Sequence, residues 1–76
     1  MTFKQKLAQT LISEIELCRE IAIEPKGENP ETHKIKWNSM AREAEVIAET
    51  MFGIDSMLDH REIILELKKI VDGKKG

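Results

Sequence analysis

NPETHKIKWNSMAREAEVIAETMFG, residues 29–53, is the stretch whose reading decides the fold. His33, Trp37, Met40, Ala44, Ile47 and Met51 recur at spacings of 4, 3, 4, 3 and 4. That is the a/d seam of an amphipathic helix, widened to one side by Ala41, Ala48 and Phe52. Asn29 stands where a side-chain oxygen caps the first N–H groups, and Pro30 fills the first helical position, where a missing N–H costs nothing. Glu31 places a negative charge in the first turn, at the positive end of the helix dipole. Gly53 is the terminator. The pattern predicts a helix over about 30–52 with its seam turned toward the rest of the chain.

Working outward, the chain reads as all-α with two more helices. Thr2 followed by Gln5 forms a capping box for a first helix over about 2–23. Phe3, Leu7, Leu11, Ile15, Cys18 and Ala22 line one face of that helix, flanked by Ala8 and Ile12. Pro25 stops it, and Lys26-Gly27-Glu28-Asn29 is the loop that follows. Beyond Gly53, a tight joint through Ile54, Asp55 and Ser56 leads to a third helix over about 56–72. Two residues compete to cap that helix: Ser56 with Asp59, or Asp59 with Glu62. His60, Ile63, Ile64, Leu67, Ile70 and Val71 form its stripe, Lys68 and Lys69 suit its C-terminal turn, and residues 73–76 form a frayed tail. No segment alternates as a strand does.

Composition narrows the function classes. The 76 residues carry 12 Lys plus Arg against 14 Asp plus Glu, a net charge of −2, which disfavours a broad nucleic-acid or anionic-membrane surface. The only cysteine is Cys18, so there is no internal disulfide and no all-cysteine zinc site. No apolar run approaches a bilayer span, and Met1-Thr2-Phe3-Lys4 lacks a signal-peptide pattern, so the expected location is the cytoplasm. A three-helix core of this length sits near the margin of stability, which points to a homodimer.

A second apolar set lies off the stripes: Leu17 and Ile23 on the first helix, Ile35 and Val46 on the second, Leu58 and Leu65 on the third. A small monomer leaves such residues wet, so they mark a partner surface. Trp37, Met40 and Met51 join them as hot-spot and adaptable contact residues. The expected surface for a partner or a second copy is therefore Leu17, Ile35, Trp37, Met40, Val46, Met51, Leu58 and Leu65.

Catalytic chemistry finds little footing. His33, His60, Cys18 and Glu14 are zinc-competent residue types, but no two share a short ligand spacing; the plainer reading stacks His33 on Trp37. Cys18 falls mid-helix on the apolar stripe, where a thiol stays protonated. Glu14 lies at the edge of the first helix's apolar arc, and its head is expected to reach water or a neighbouring cation rather than act as a buried base. Glu45 with Glu49, and Glu62 with Glu66, are four apart, a spacing that holds magnesium in all-α nucleotide pyrophosphohydrolases. The Glu-Glu-x-x-Glu and Glu-x-x-Asp runs of those enzymes are missing, and the carboxylates are expected on the solvated side. The helices around Gly53 superficially resemble a helix-turn-helix, yet the second would present Asp55, Asp59 and Glu62 to phosphates. A basic patch would have to come from Lys26, Lys34, Lys36, Lys74 and Lys75.

These readings converge on a non-enzymatic helical regulator, inhibitor or adaptor that binds a protein partner, needs no cofactor or metal, and would suit a mobile-element or phage accessory role. The alternative is a DNA-binding regulator with a degenerate helix-turn-helix. A remote third reading is the metal-dependent pyrophosphohydrolase.

Overall fold

A computed structural model describes residues 1–24 and 29–73; Pro25, the Lys26–Glu28 loop and the Lys74–Gly76 tail lie outside the described residues. Three helices form: α1 (Phe3–Ile23), α2 (Pro30–Phe52) and α3 (His60–Asp72).

The caps follow the local chemistry. Thr2 and Gln5 make a reciprocal capping box, the Thr2 hydroxyl accepting from Gln5 N–H at 3.1 Å and Gln5 Oε1 from Thr2 N–H at 2.8 Å. Asn29 Oδ1 accepts from the N–H groups of Glu31 and Thr32. α2 ends at Gly53 with φ +66°, a left-handed conformation in which a Cβ would be strained. α3 begins at His60, not at Ser56, because Asp59 wins the competition to cap it: its carboxylate accepts from Arg61 and Glu62 N–H. The carboxylate of Asp55 instead accepts from Met57 N–H and closes a local turn.

α1 is the central helix. His33 Nε2 meets Ile21 O at one end of the α1–α2 pair, and Lys4 Nζ stands 6.0 Å from the Phe52 ring centroid at the other. α2 is thus antiparallel to α1. Gln5 Nε2 donates to Val71 O, while Arg19 and Ile23 share a groove with His60 and Ile64, so α3 is antiparallel to α1 as well. α2 and α3 are therefore parallel to each other, and they touch only sparsely.

That topology explains why the expected tight joint at Gly53 is instead a seven-residue connector, Gly53–Asp59. It returns along the 13 residues of α3, a length of about 20 Å at 1.5 Å per residue. Four residues reach about 14 Å at full extension, which is too short. Ile54 and Leu58 of the connector are half-buried against the core.

Ala8, Leu11, Ile12 and Ile15 of α1, Ala44 and Ala48 of α2, and Ile63 and Leu67 of α3 form that core. Two expectations about its margins are corrected. Phe3, read as part of the α1 stripe, is 79% exposed, since it sits in the first turn beyond the ends of the packed helices. On α2 the buried residues are Ala41, Ala44, Glu45 and Ala48, a face turned by roughly 70°, about two-thirds of a residue step at 100° per residue, from the expected seam. Alanines let the α2 backbone approach α1 closely, so the small-residue line goes inward and the bulky a/d line stays near the surface.

Candidate functional site

Turning α2 in this way carries Glu45 into the interior, where it is 2% exposed. Arg19 Nη2 donates to Glu45 Oε2 at 2.6 Å and Arg19 Nη1 to Asn38 Oδ1 at 3.0 Å. Arg42 Nη1 donates to Glu45 Oε1 at 3.1 Å and to Glu49 Oε2 at 3.0 Å. Hydrogen bonding to Glu45 first, and the charge of Glu49 after it, raise the pKa of Arg42. The expectation that Glu45 and Glu49 lie on the solvated side is thus corrected: both are drawn in by guanidinium groups. Carboxylates neutralised this way are poor magnesium ligands, because the cation would have to displace the arginines. Arg19 Nε is buried with no hydrogen-bond partner among the described residues.

The remaining titratable candidates are engaged in packing. Cys18 is buried and donates weakly to Glu14 Oε1 at 3.8 Å. Burial first, and then the Glu14 charge, raise its thiol pKa, which suppresses the reactive thiolate. Glu14 itself is exposed. His33 donates through Nε2 to Ile21 O at 2.8 Å, since a carbonyl can only accept, and so satisfies a C-terminal carbonyl of α1. Its ring lies 6.3 Å from Trp37, tilted by 55°, the stacking expected of the pair. His60 is half-buried at the start of α3. Backbone hydrogen bonds from Glu62 and then Arg61 lower the pKa of Asp59, against a desolvation contribution that raises it. Among the described residues no three His, Cys, Asp or Glu side chains converge as metal ligands.

The apolar residues are where the molecule is open. Leu17 (53%), Ile35 (67%), Val46 (44%) and Leu65 (58%) remain exposed. They do not form one face: Leu65 is two residues from buried Ile63 and points away from α1, Ile35 and Val46 lie on the outer side of α2, and Leu17 on the back of α1. Leu58 is corrected, because the returning connector tucks it against the core. Trp37 and Met40 are half-buried, and Met51 is 56% exposed.

A groove of about 300 Å³ runs between α1 and α2, walled by Leu11, Glu14, Met40, Glu43, Ala44 and Ile47. Ile47 is 48% exposed there. Met40, Ala44 and Ile47 of the seam that the spacing assigned to the intramolecular core line this groove. The line Ala41, Ala44 and Ala48 was the signal for the true packing face, and the seam's larger side chains masked it.

The α2–α3 unit has none of the geometry of a helix-turn-helix, whose helices cross steeply after a turn of three or four residues; here they run parallel across a seven-residue connector. No helix among the described residues is long and apolar enough to cross a membrane. No protein-family model, curated protein or solved structure is similar enough to the chain to match it.

Proposed function

We propose that this chain is a small non-enzymatic helical regulator, inhibitor or adaptor, homodimeric, that works by docking apolar helix faces on another protein. One observation carries the reading: the fold closes its core and still leaves Ile35, Val46, Leu65 and Met51 between 44% and 67% exposed. Apolar side chains of this size gain roughly 1.5–3 kcal/mol each on full burial, so a partner that covers several of them is strongly favoured. The acidic net charge of −2 and the acidic start of α3 favour a protein partner over a phosphate backbone.

The test is affinity capture from the native host with the wild-type chain beside Val46→Asp and Leu65→Asp. One protein should co-purify in stoichiometric amount with wild type and be lost with at least one variant whose helicity, by circular dichroism, is unchanged. Capture that is identical for all three, or binding that collapses between low and physiological salt, would overturn the reading.

A further inference from the structure

We infer that Arg19 is a rotational latch that holds α2 in one of two packings open to it on α1. Released from that grip, α2 turns by about 70° around Ala44 and carries Met40, Ile47 and Met51 inward. The inference goes beyond the docking role proposed above and does not depend on it.

α2 carries two lines of residues, each able to face a neighbouring helix. The line that packs is Ala41, Ala44 and Ala48, none more than 4% exposed. The other is the seam of Met40, Ala44, Ile47 and Met51, with larger side chains on a heptad spacing. Ile47 and Met51 stay 48% and 56% exposed, so the observed packing forgoes apolar burial that the other face offers. Close approach of the alanines offsets part of that loss through dispersion. Ala44 belongs to both lines and is the pivot between them.

Glu45 separates the two packings. At 100° per residue it lies about 50° from the centre of the alanine face and about 120° from the centre of the seam. It is therefore inside in the observed packing and in water in the other. One guanidinium holds it inside: Arg19 Nη2 donates to Glu45 Oε2, and Nη1 to Asn38 Oδ1. Asn38 and Glu45 are two turns apart on one side of α2, so the paired bonds resist turning as well as sliding. Arg42 also donates to Glu45, but it belongs to α2 and turns with it. Of the two arginines, only Arg19 ties the carboxylate to α1.

Deprived of Arg19, a carboxylate left inside is costly. Turning outward relieves it, whereas unfolding surrenders the whole core. The same turn buries Ile47 and Met51. Their bulk sets α2 farther from α1, within the spacing of about 8–10 Å that packed helices adopt.

Thiol accessibility on the full chain reads the rotation. In a Cys18→Ala background, Ile47→Cys and Met51→Cys report on the seam. Ile35→Cys is the control, because Ile35 is 67% exposed and lies about 130–160° from the centre of either face. Each is combined with native Arg19, with Arg19→Met, and with Arg19→Met plus Glu45→Leu. With native Arg19, all three thiols should react with Ellman's reagent at similar rates. With Arg19→Met, the thiols at positions 47 and 51 should slow by roughly tenfold or more, since a thiol turned inward reacts only when α2 opens. The thiol at position 35 should keep its rate, and helicity by circular dichroism should not change. Glu45→Leu suits the original face, so adding it should restore the original rates at 47 and 51. Unchanged rates at 47 and 51 in a helical Arg19→Met chain overturn the inference, because α2 then keeps one packing without the grip. Lost helicity with fast labelling at all three positions overturns it as well, because α2 then has no second packing to enter. Slowed labelling that Glu45→Leu does not reverse overturns the part given to Glu45.

Discussion

Arg19 Nη2 lies 2.6 Å from Glu45 Oε2 across the α1–α2 interface, and the Glu45 side chain is 3% exposed while that of Arg19 is 29% exposed. The pair ties the middle of α2 to the last turns of α1. With Asn38 on the same guanidinium, it pins both the register and the rotation of α2. A buried carboxylate without its partner is costly, whereas a pair replaced by apolar residues of similar volume is often neutral or better.

Arg19→Met should therefore cost about 2–4 kcal/mol, toward the lower part of the range for breaking a buried pair because Arg42 still reaches Glu45. Arg19→Met combined with Glu45→Leu should be more stable than Arg19→Met alone. Urea midpoints of wild type, both singles and the double variant check this. Additive costs in the double variant would show that the two residues are not coupled.

Leu65 and Leu67 are chemically identical and two residues apart on α3. Leu67 is fully buried and Leu65 is 58% exposed. Leu67→Ala should cost about 2–5 kcal/mol, a large share of the roughly 4–11 kcal/mol that a chain of this length has in total. Leu65→Ala should stay within about 0.5 kcal/mol of wild type. Thermal melts of the two variants side by side check the assignment of the α3 face, and equal losses would sink it.

Asp59 offers a pH-dependent check on where α3 begins. Its carboxyl pKa is held below the usual 3.8, chiefly by the hydrogen bond from Glu62 N–H. A carboxyl lowered on folding contributes stability above its unfolded pKa and loses it as pH falls through the folded value. The acid loss attributable to Asp59 thus belongs below pH 3.8. Asp59→Asn keeps an acceptor for the cap and should flatten the stability curve in that window while melting close to wild type at pH 7. Asp59→Ala should lower Tm at pH 7, and Ser56→Ala should not. A loss with Ser56→Ala instead would move the start of the helix back.

The helices were legible in the sequence because short-range chemistry decides them. Thr2 with Gln5, Asn29 with Pro30, and Gly53 each act within one turn of where they stand. Which face of α2 turns inward was not legible, because two criteria conflict there. Side-chain size favours the line of Trp37, Met40, Ile47 and Met51, while close backbone approach favours Ala41, Ala44 and Ala48. Helical phase alone cannot weigh a partner that lies elsewhere in the chain. Glu45 was hidden for the same reason, since its burial depends on Arg19, 26 residues away. The connector was misread because Gly53 marks where α2 stops but carries no information on how far the chain must travel before α3. Leu17, Ile35, Val46 and Leu65 read correctly as exposed; that they point in different directions follows only from the packing.

Cys18 reports on how firmly the α1 face is closed. The thiol is 1% exposed, and its pKa is raised above 9.0 by burial first and by the Glu14 charge second. Both effects keep it protonated, and only the thiolate attacks a disulfide reagent. A thiol whose pKa is raised on folding contributes stability that is complete below the unfolded value, about 9.0 here, and lost as pH climbs toward the folded value. At pH 8, Ellman's reagent should label the native chain slowly, at a rate set by opening of the helices, and should label one thiol per chain at once in guanidinium. Glu14→Gln removes the second cause and leaves the first, so native labelling should quicken only slightly. Raising the pH from 8 to 10 should lower the melting temperature of wild type more than that of Cys18→Ala. Prompt stoichiometric labelling of the native wild-type chain would mean that the face of α1 carrying Cys18 is open to solvent, and the burial assigned to that thiol would fall.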